Sequence, residues 1–527
     1  MELQNNQPIW LNRWISPRVL AVAGAFLIFT GRGILQFELY RSGFRAIAAD
    51  DFGRTVLAGR WALHPGLIWS GDWLPFHTYF LGLLLRFTRD LIWIPRMMAI
   101  LAGMISILLV YRLGLEIFKS RQIGLISSVL LTVSPAHVWL SSTPLTESFY
   151  TTVILACMLS YILYLRTQRY FLVILSALSL FIANGIRFEA WMVSIVFSSL
   201  LAGGALLQFR QGKIDVKQLL LALLPAAIPW LFPLAWLIGN SVYKDDPLYF
   251  LHSITSYKLL WYGSGRSYRN YLNILLGMDP FSTALLLPGI LSLIWKSRGR
   301  AAQRWYGLMT VLPFLIFASV HGGQSEPRGN IIRYLAPFLF VSYPTVAYLI
   351  GSTVALLHKS RMAQRTLLIA VILSVSLVQI LAVFRYTNDL SVNAFAVGER
   401  IRSLREMEAA LRNRPVLIEL SYWDYLAIHV GANDLSLIVY DRLLDFENRR
   451  SISLLSTDLE AFRSCLRHYQ FSFVIVKSPD LKEILEQSLQ FTPGEQVNQY
   501  TFYRVPLGKI VDGEEPGVCP LSAGTGY

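Results

Sequence analysis

Long apolar runs alternate with short polar segments through the first 385 residues of the chain. A helix that crosses a membrane needs about 20 consecutive, mostly apolar residues. Eleven runs approach or exceed that length: residues 18–37, 93–118, 122–140, 146–165, 170–186, 188–207, 217–238, 281–295, 305–320, 332–357 and 366–385. The pattern therefore predicts a mainly α-helical, polytopic membrane protein with about eleven transmembrane helices.

Basic residues form clusters in every second connection between these runs. The clusters are Arg13/Arg18, Lys119/Arg121, Arg166/Arg169, Arg210/Lys213/Lys217, Lys296/Arg298/Arg300/Arg304 and Lys359/Arg361/Arg365. Because connections rich in Lys and Arg stay in the cytoplasm, we expect a multi-pass protein of the plasma (inner) membrane with a cytoplasmic N-terminus. The first run lacks a small-residue cleavage site, so we expect an uncleaved first span. An odd number of spans places the C-terminal region outside the cytoplasm.

The connections on the opposite, exported face are longer and hold most carboxylates of the first 385 residues. The predicted exported loops are 38–92, 134–147, 239–280 and 321–331, with a short turn at 184–188. The carboxylates on this face include Asp50, Asp51, Asp72, Glu147, Glu189, Asp245 and Asp246. Short basic cytoplasmic connections leave little room for chemistry, so we expect the functional site on the exported face.

The pattern changes after residue 385. Helices are predicted at Ala394–Arg414, Asp458–Tyr469 and Asp480–Leu489. Short strands are predicted at Val416–Leu420, Leu437–Tyr440, Phe473–Lys477 and Tyr500–Val505. Strands that alternate with helices are typical of an α/β domain. The chain is thus predicted to consist of a transmembrane domain (1–385), a small soluble extracytoplasmic α/β domain (386–510) and a flexible tail (511–527).

Composition supports a membrane protein and argues against nucleic-acid binding. Only 15% of the residues are charged, against about a quarter in soluble proteins, and the mean hydropathy is +0.47. The net charge of +14 comes from basic residues at the ends of apolar runs, which membrane topology explains. No P-loop, GxGxxG after a strand, HExxH or GxSxG is present, so an enzyme driven by NTP or a dinucleotide is not expected.

The first exported loop carries the adjacent carboxylates Asp50 and Asp51 and a Trp73-x-Pro75-x-His77-x-Tyr79 segment. Neighbouring carboxylates repel each other, so one binds a proton more readily, which suits a general base. The alternative is that Asp50 caps a helix that follows. Trp73, His77 and Tyr79 are candidate substrate-binding residues, although His77 could equally be a satisfied interfacial histidine.

Charged residues at two later exported turns are further candidates. Glu147 begins an apolar helix, where a carboxylate is either functional or complements the helix dipole. Arg187 could bind a phosphate, or it could pair with Glu189.

The last exported loop carries His321, Arg328, Arg333 and Tyr334. Arginines here break the basic-inside pattern, so topology does not explain them. A guanidinium holds a phosphate through two parallel hydrogen bonds, and an anionic ligand would account for both arginines. Pairing with Glu326 or with lipid headgroups is the alternative.

These features together resemble a known family. An inside helix leads to an exported loop with an acidic pair and the Trp73–Tyr79 segment, and Arg96-Met-Met…Gly103 and Tyr111-Arg-Leu-Gly114…Phe118 follow. The pattern continues with a second exported turn that holds Ser134-Pro135 and an acidic residue. It ends with the motif Arg333-Tyr334-x-x-Pro337 in the last part of the predicted membrane domain. Over residues 18–385 it is similar to the GT-C glycosyltransferases of the protein O-mannosyltransferase and aminoarabinose lipid A transferase type, the family 39-like enzymes.

The resemblance implies transfer of a sugar from a polyprenyl-phosphate donor to a lipid, protein or glycan acceptor on the exported face. It implies that Asp50 or Asp51 is the catalytic base and that Glu147 is the acidic residue of the second loop. The family's basic residue before the Pro-Pro of its first-loop motif is absent, because Leu74-Pro75-Phe76-His77 stands there, which leaves the acceptor open.

The mechanism follows from the residues and the donor. A single displacement by an acceptor hydroxyl inverts the anomeric centre, while Arg187, Arg328 or Arg333 stabilises the departing phosphate. No cofactor is identified, and a divalent metal stays open. The alternative function is a transporter or flippase of lipid-linked sugars, which would show repeat-related halves and broken helices near the midplane.

Overall fold

The structure is a computed structural model that describes residues 17–265, 267–296, 301–321, 326, 328–357, 360–419, 424–445 and 450–505. The chain divides into two compact units that are discontinuous in sequence. Unit 1 comprises Met1–Phe44, Ile68–His77 and Ala99–Thr387; unit 2 comprises Arg45–Leu67, Thr78–Met98 and Asn388–Tyr527. The domain limits predicted from composition, at residues 385 and 510, stay a prediction, and the predicted tail 511–527 lies outside the described residues.

The described residues from 17 to 387 are mostly helical between short connections. The helices are α1 Pro17–Arg41, α2 Asp50–Leu63, α3 Phe76–Thr88, α4 Trp93–Phe118, α5 Arg121–Val133, α6 Pro135–Leu140, α7 Thr146–Thr167, α8 Tyr170–Asn184, α9 Glu189–Arg210, α10 Val216–Ala227, α11 Leu231–Lys244, α12 Tyr249–Tyr262, α13 Tyr268–Met278, α14 Pro280–Lys296, α15 Ala301–His321, α16 Arg328–Leu357 and α17 Arg361–Val383. Each of the eleven predicted spans coincides with helix, so the mainly α-helical fold class is confirmed.

The number of spans is a separate matter. Within the described residues, six helical stretches are long and apolar enough to cross a membrane, and a seventh results if the pair α13–α14, bent by 114°, is one span. The count of about eleven is therefore not confirmed. Two predicted spans are interrupted. Ser134-Pro135 separates α5 from α6, because proline lacks the N–H that a helix interior requires, and a 3₁₀ turn at Ile228–Trp230 separates α10 from α11.

Unit 2 contains a five-stranded mixed sheet. The strands are β1 Val416–Ile418, β2 Ile438–Tyr440, β3 Arg442–Asp445, β4 Arg450–Ser453, β5 Phe473–Val476, β6 Pro493–Val497 and β7 Tyr500–Arg504. The sheet order is β2-β1-β5-β7-β6, with β1 parallel to β2 and β5, and β7 antiparallel to β5 and β6. β3 and β4 form a separate hairpin. The predicted α/β domain is thus confirmed as a fold class, and β3, β4 and β6 were not predicted.

The two faces of this sheet pack on different cores because successive side chains of a strand point to opposite faces. The helices are α18 Val392–Met407, α19 Asp424–Ala432, α20 Leu454–Thr457, α21 Leu459–Tyr469 and α22 Pro479–Glu483. In β1, Val416 and Ile418 join the core with α2, α18 and α19, while Leu417 joins the core with α21 and α22.

Helices α18 and α19 cross closely through two glycines. A Cβ atom at Gly398 would lie 2.4 Å from the carbonyl oxygen of Ile428, and one at Gly431 would lie 2.3 Å from that of Phe395. Any side chain at either position would push the helices apart. The close crossing also encloses His429, which is fully buried on α19.

The His429 ring is held as a neutral imidazole. Its Nδ1 lies 2.7 Å from the backbone oxygen of Asp434, and since a carbonyl can only accept, Nδ1 carries the proton. Burial lowers the pKa of His429 to about 4, and the nearby Arg60 acts in the same direction. Protonation is therefore easier in the unfolded chain than in the folded chain.

This shift predicts acid destabilisation that originates at His429. An unfolded-chain histidine titrates near pH 6.5, so the contribution to stability is complete above about pH 6.5 and decreases as the pH falls toward about 4. The pKa difference corresponds to about 3 kcal/mol. We expect wild type to lose this amount relative to His429→Asn, which keeps a donor near Nδ1. The measurement is the unfolding free energy of both full-length proteins from pH 7 to pH 4, and equal slopes would contradict the prediction.

Candidate functional site

A buried ionic cluster joins the ends of α7, α9 and α16 with the turn between α8 and α9, all within unit 1. The Glu147 carboxylate, which is 0% exposed, accepts hydrogen bonds from Arg187 and, at 2.8 Å, from Nε of Arg333. Arg187 also donates from Nε and Nη2 to both oxygens of Glu189, at 3.0 and 2.5 Å. Four residues predicted from the sequence thus share one site.

Local sequence places each of these charges. Glu147 and Glu189 stand in the first turns of α7 and α9, where a carboxylate complements the helix dipole. The turn that carries Arg187 is held in place by contacts with Phe76 at the start of α3. The N–H of Phe76 donates to the carbonyl oxygen of Gly185 at 2.9 Å, and a Cβ atom at Gly185 would lie 2.3 Å from the Phe76 ring. Only glycine allows this approach.

The guanidinium of Arg187 is charged although it is buried. Burial alone would lower the pKa of Arg187, but the carboxylates of Glu189 and Glu147 outweigh it and raise that pKa above its usual value. The guanidinium is therefore permanently charged, and its neighbours keep it oriented. A fourth hydrogen bond, from Nη1 to the Thr146 hydroxyl at 3.1 Å, completes the surroundings of this guanidinium.

A second group of polar residues lies against the first through the ring of Tyr334. The Lys258 ammonium is 2.8 Å from Glu326, and His321 Nε2 is 3.1 Å from the same carboxylate oxygen. Tyr271 hydrogen-bonds to His321 Nδ1. Burial would raise the pKa of Glu326, but the hydrogen bond with His321 and the charge of Lys258 hold it below its usual value.

Tyr334 connects the two groups. The Arg187 guanidinium carbon lies 5.6 Å and the Lys258 nitrogen 5.1 Å from the centroid of its ring, and the His321 ring lies 5.3 Å away. Cations within about 6 Å of an aromatic face are attracted to it. Arg187, Lys258 and His321 therefore lie around one aromatic ring. This ring joins the two groups, whose other members are Arg333, Glu147, Glu189, Glu326 and Tyr271. We call these residues the Tyr334 site.

The other predicted residues differ in exposure and in the contacts that the structure shows for them. Arg328 is exposed, and its Nη2 is 3.5 Å from the backbone oxygen of Gly277. Trp73 is half-buried and His77 is buried at the start of α3. The Tyr79 ring packs on Trp61 of unit 2, with ring centroids 5.3 Å apart. Sequence reasoning missed Lys258 and Tyr271; an isolated lysine in a predicted exported loop was the available signal.

The acidic pair lies in unit 2. Asp50 and Asp51 form the first turn of α2, and the cap position is Ala49, not Asp50. The Asp51 carboxylate is fully buried, and its Oδ2 accepts the backbone N–H groups of Ile47 and Ala48, both at 2.9 Å. Asp50 is half-buried. The turn before α2 therefore fixes Asp51, whereas Asp50 is more accessible.

Another loop carboxylate, Asp72, is held in unit 1. Its Oδ2 accepts the Ser253 hydroxyl at 2.9 Å. Burial raises the pKa of Asp72, and the Ser253 hydrogen bond offsets part of that rise. In the part of the chain that the structure describes, no group of three or more His, Cys, Asp or Glu side chains is placed to hold a metal ion.

Comparison with known proteins identifies similar sequences and folds. No family model matches the chain. It is 28% identical over 148 residues to the dolichyl-phosphooligosaccharide-protein glycotransferase 2 of Archaeoglobus fulgidus, a match that covers 28% of this chain and 24% of that protein. The match thus spans about a quarter of that relative's length.

Two solved proteins share the fold over most of this chain, each at 11% sequence identity. The ArnT structures from Cupriavidus metallidurans superpose with TM-scores of 0.59 in the apo state and 0.61 bound to undecaprenyl phosphate, covering 92–93% of this chain and 98–99% of theirs. The oligosaccharyltransferase AglB from Archaeoglobus fulgidus, in complex with an inhibitory peptide and a dolichol-phosphate, superposes with a TM-score of 0.53 and covers 92% of this chain and 75% of its own. The chain is therefore a multi-pass membrane protein with the fold of the GT-C glycosyltransferases.

Proposed function

We propose that the protein transfers a sugar from a polyprenyl-phosphate donor to an acceptor hydroxyl on the extracytoplasmic face of the plasma membrane. The observation that carries the proposal is the Tyr334 site, in which Arg187 and Arg333 both hold Glu147 and in which Arg187 and Lys258 face one ring. The acceptor is a lipid, a protein or a glycan. The N-terminus lies in the cytoplasm and the α/β domain outside it.

The similar solved proteins support a donor of this class. One ArnT structure holds undecaprenyl phosphate and the AglB structure holds a dolichol-phosphate. Both ligands present a phosphate at the end of a long apolar chain. A site for such a ligand needs cations at the end of apolar helices, and Arg187 and Arg333 supply them here.

The Tyr334 site is charge-balanced before a donor arrives. Arg187, Arg333 and Lys258 match Glu147, Glu189 and Glu326 when His321 is neutral. An incoming phosphate therefore has to share the guanidiniums with Glu147, which lies between them. We assign Glu147 the role of orienting both arginines, so that they meet the phosphate with little reorganisation and stabilise its charge as it leaves.

We assign the role of base to Asp51. Catalysis requires a carboxylate held within a narrow geometry, and two backbone N–H groups hold Asp51. Asp51 takes the proton of the acceptor hydroxyl, the acceptor oxygen forms the new bond to the anomeric carbon, and the bond from that carbon to the phosphate oxygen breaks. The lipid phosphate departs with the electron pair, and the anomeric centre inverts.

The first prediction concerns donor binding. Arg333→Met removes one of two guanidiniums on Glu147, and truncating one partner of a buried charge pair costs several kcal/mol. We expect undecaprenyl phosphate or dolichyl phosphate to bind at least about 30-fold more weakly. Arg333→Lys keeps the charge but loses the planar fork, so we expect an intermediate loss.

Arg328→Met is the matched control, because Arg328 is exposed on the same helix. Affinities are measured on full-length protein in lipid nanodiscs by titration with each lipid phosphate. Equal losses for the two methionine variants, or none for Arg333→Met, would contradict the assignment.

The second prediction identifies the base. Since a general base contributes about 10²- to 10⁴-fold, Asp51→Asn should reduce the turnover by that range without weakening binding of the lipid phosphate. Asp50→Asn, the adjacent control, should keep most of the turnover. Transfer of radiolabelled sugar from carrier to a membrane-extract acceptor is measured for both variants.

The outcome also separates a transferase from a transporter. Sugar label that moves from carrier to acceptor, and stops doing so in Asp51→Asn, supports the transferase. Labelled donor that crosses the bilayer chemically unchanged, at equal rates in wild type and both variants, would replace the proposal by a transporter of lipid-linked sugars.

A further inference from the structure

A second polar site lies among the membrane helices of unit 1, where two helices are interrupted. Asp279 stands at the bend between α13 and α14, and its side chain is fully buried. Ser134, also fully buried, stands at the break between α5 and α6. Helices α14 and α17 pack on α16, and α5 packs on both α16 and α17. An ionisable residue in such surroundings is a functional candidate by default.

Both oxygens of the Asp279 carboxylate accept hydrogen bonds. The Tyr343 hydroxyl donates to Oδ2 at 2.6 Å, and the backbone N–H of Ser282 donates to Oδ1 at 2.9 Å. A phenol and a backbone amide used as donors favour the ionised carboxylate, because charge-assisted hydrogen bonds are stronger than neutral ones.

The countercharge for this anion does not come from a described side chain. Among the described residues, no Lys, Arg or His forms an ion pair with Asp279. The buried Arg32 approaches the same α5–α6 break, but its guanidinium donates to the carbonyl oxygens of Thr132 and His137, at 2.6 and 2.8 Å. A buried, unpaired carboxylate is costly, so another cation or a proton has to balance it.

Three further side-chain groups surround the carboxylate and its tyrosine. The hydroxyls of Ser134 and Ser282 lie beside the Tyr343 phenol, and the Gln379 amide lies beside Asp279. Both serine oxygens and the Gln379 amide oxygen are buried without a hydrogen-bond partner in the described part of the chain. Ser134 precedes α6 but does not cap it with its hydroxyl. In the described part of the chain, three oxygens that accept no hydrogen bond thus lie near the carboxylate and its tyrosine.

We propose that Asp279, Ser134, Ser282 and Gln379 bind a monovalent cation of the sodium class. The donor set consists of oxygen atoms, which hard cations prefer. One carboxylate with neutral oxygens matches a single positive charge, whereas divalent cations gather several carboxylates. Interrupted membrane helices supply sodium sites of this kind elsewhere. The site is separate from the Tyr334 site and does not depend on the proposed transferase activity.

The experiment compares thermal unfolding of the full-length protein in detergent as sodium chloride replaces N-methyl-D-glucamine chloride at constant ionic strength. A ligand that binds only the folded state raises the unfolding temperature with its concentration. We expect a saturable rise for wild type and no sodium-specific rise for Asp279→Asn. Gln379→Leu keeps the carboxylate and loses one oxygen, so it should need at least about tenfold more sodium.

Asp246→Asn is the control, since Asp246 is a surface carboxylate paired with His252, and it should respond as wild type does. Binding of ²²Na⁺ to purified protein gives a second measurement, expected near one ion per chain and lost with Asp279→Asn. If that variant does not fold, Gln379→Leu decides by its sodium dependence.

Three results would overturn the proposal. The first is an unfolding temperature of wild type that is equal in both salts, which would mean that a proton or water alone occupies the site. An unchanged response in Gln379→Leu is the second. A rise retained in folded Asp279→Asn is the third, because it would place any sodium effect elsewhere.

Discussion

The burial of Glu147 between two guanidiniums constrains the rest of unit 1. A carboxylate with no exposed surface is stable as an anion only while both arginines stay in place, because desolvation costs several kcal/mol per ion. Arg187 belongs to the turn between α8 and α9, and Arg333 belongs to α16. Glu147 at the start of α7 therefore fixes the positions of the α8–α9 turn and of the first part of α16. The close contact of Phe76 with Gly185 also holds the α8–α9 turn.

Under the proposed function, the same arrangement would let the Tyr334 site receive an anion without being strongly cationic. Its formal charges cancel, which limits the cost of keeping six ionised groups away from water. A phosphate that arrives competes with carboxylates for guanidiniums that are already aligned. Binding then exchanges one set of charge-assisted hydrogen bonds for another, so affinity depends on geometry and not on net charge. The proposal therefore depends on the planar fork of Arg333 and not on its charge alone.

Some of this arrangement was predictable from the sequence and some was not. Arg333 contradicts the basic-inside pattern, and that contradiction identified it, whereas Arg187 was identified as a charged residue at an exported turn. Lys258 carries the same signal, but a single lysine in a long loop is weak. Asp50 and Asp51 were both predicted as the possible base, with a helix cap as the alternative for Asp50; the structure caps the helix at Ala49 and does not test the base. Asp279 was missed because Met278-Asp279-Pro280 reads as an ordinary helix start; only packing places Ser134 and Gln379 around it.

The two buried polar sites of unit 1 differ in one physical respect. In the Tyr334 site every carboxylate meets a basic side chain of the same chain, so the fold compensates its own charges. At Asp279 the carboxylate meets only neutral donors, and three nearby oxygen-bearing groups have no use in the hydrogen-bond network. Buried polar groups are nearly always satisfied in folded proteins. The oxygens without a hydrogen bond around a carboxylate that no described basic side chain meets are therefore the basis for proposing that a cation completes the second site.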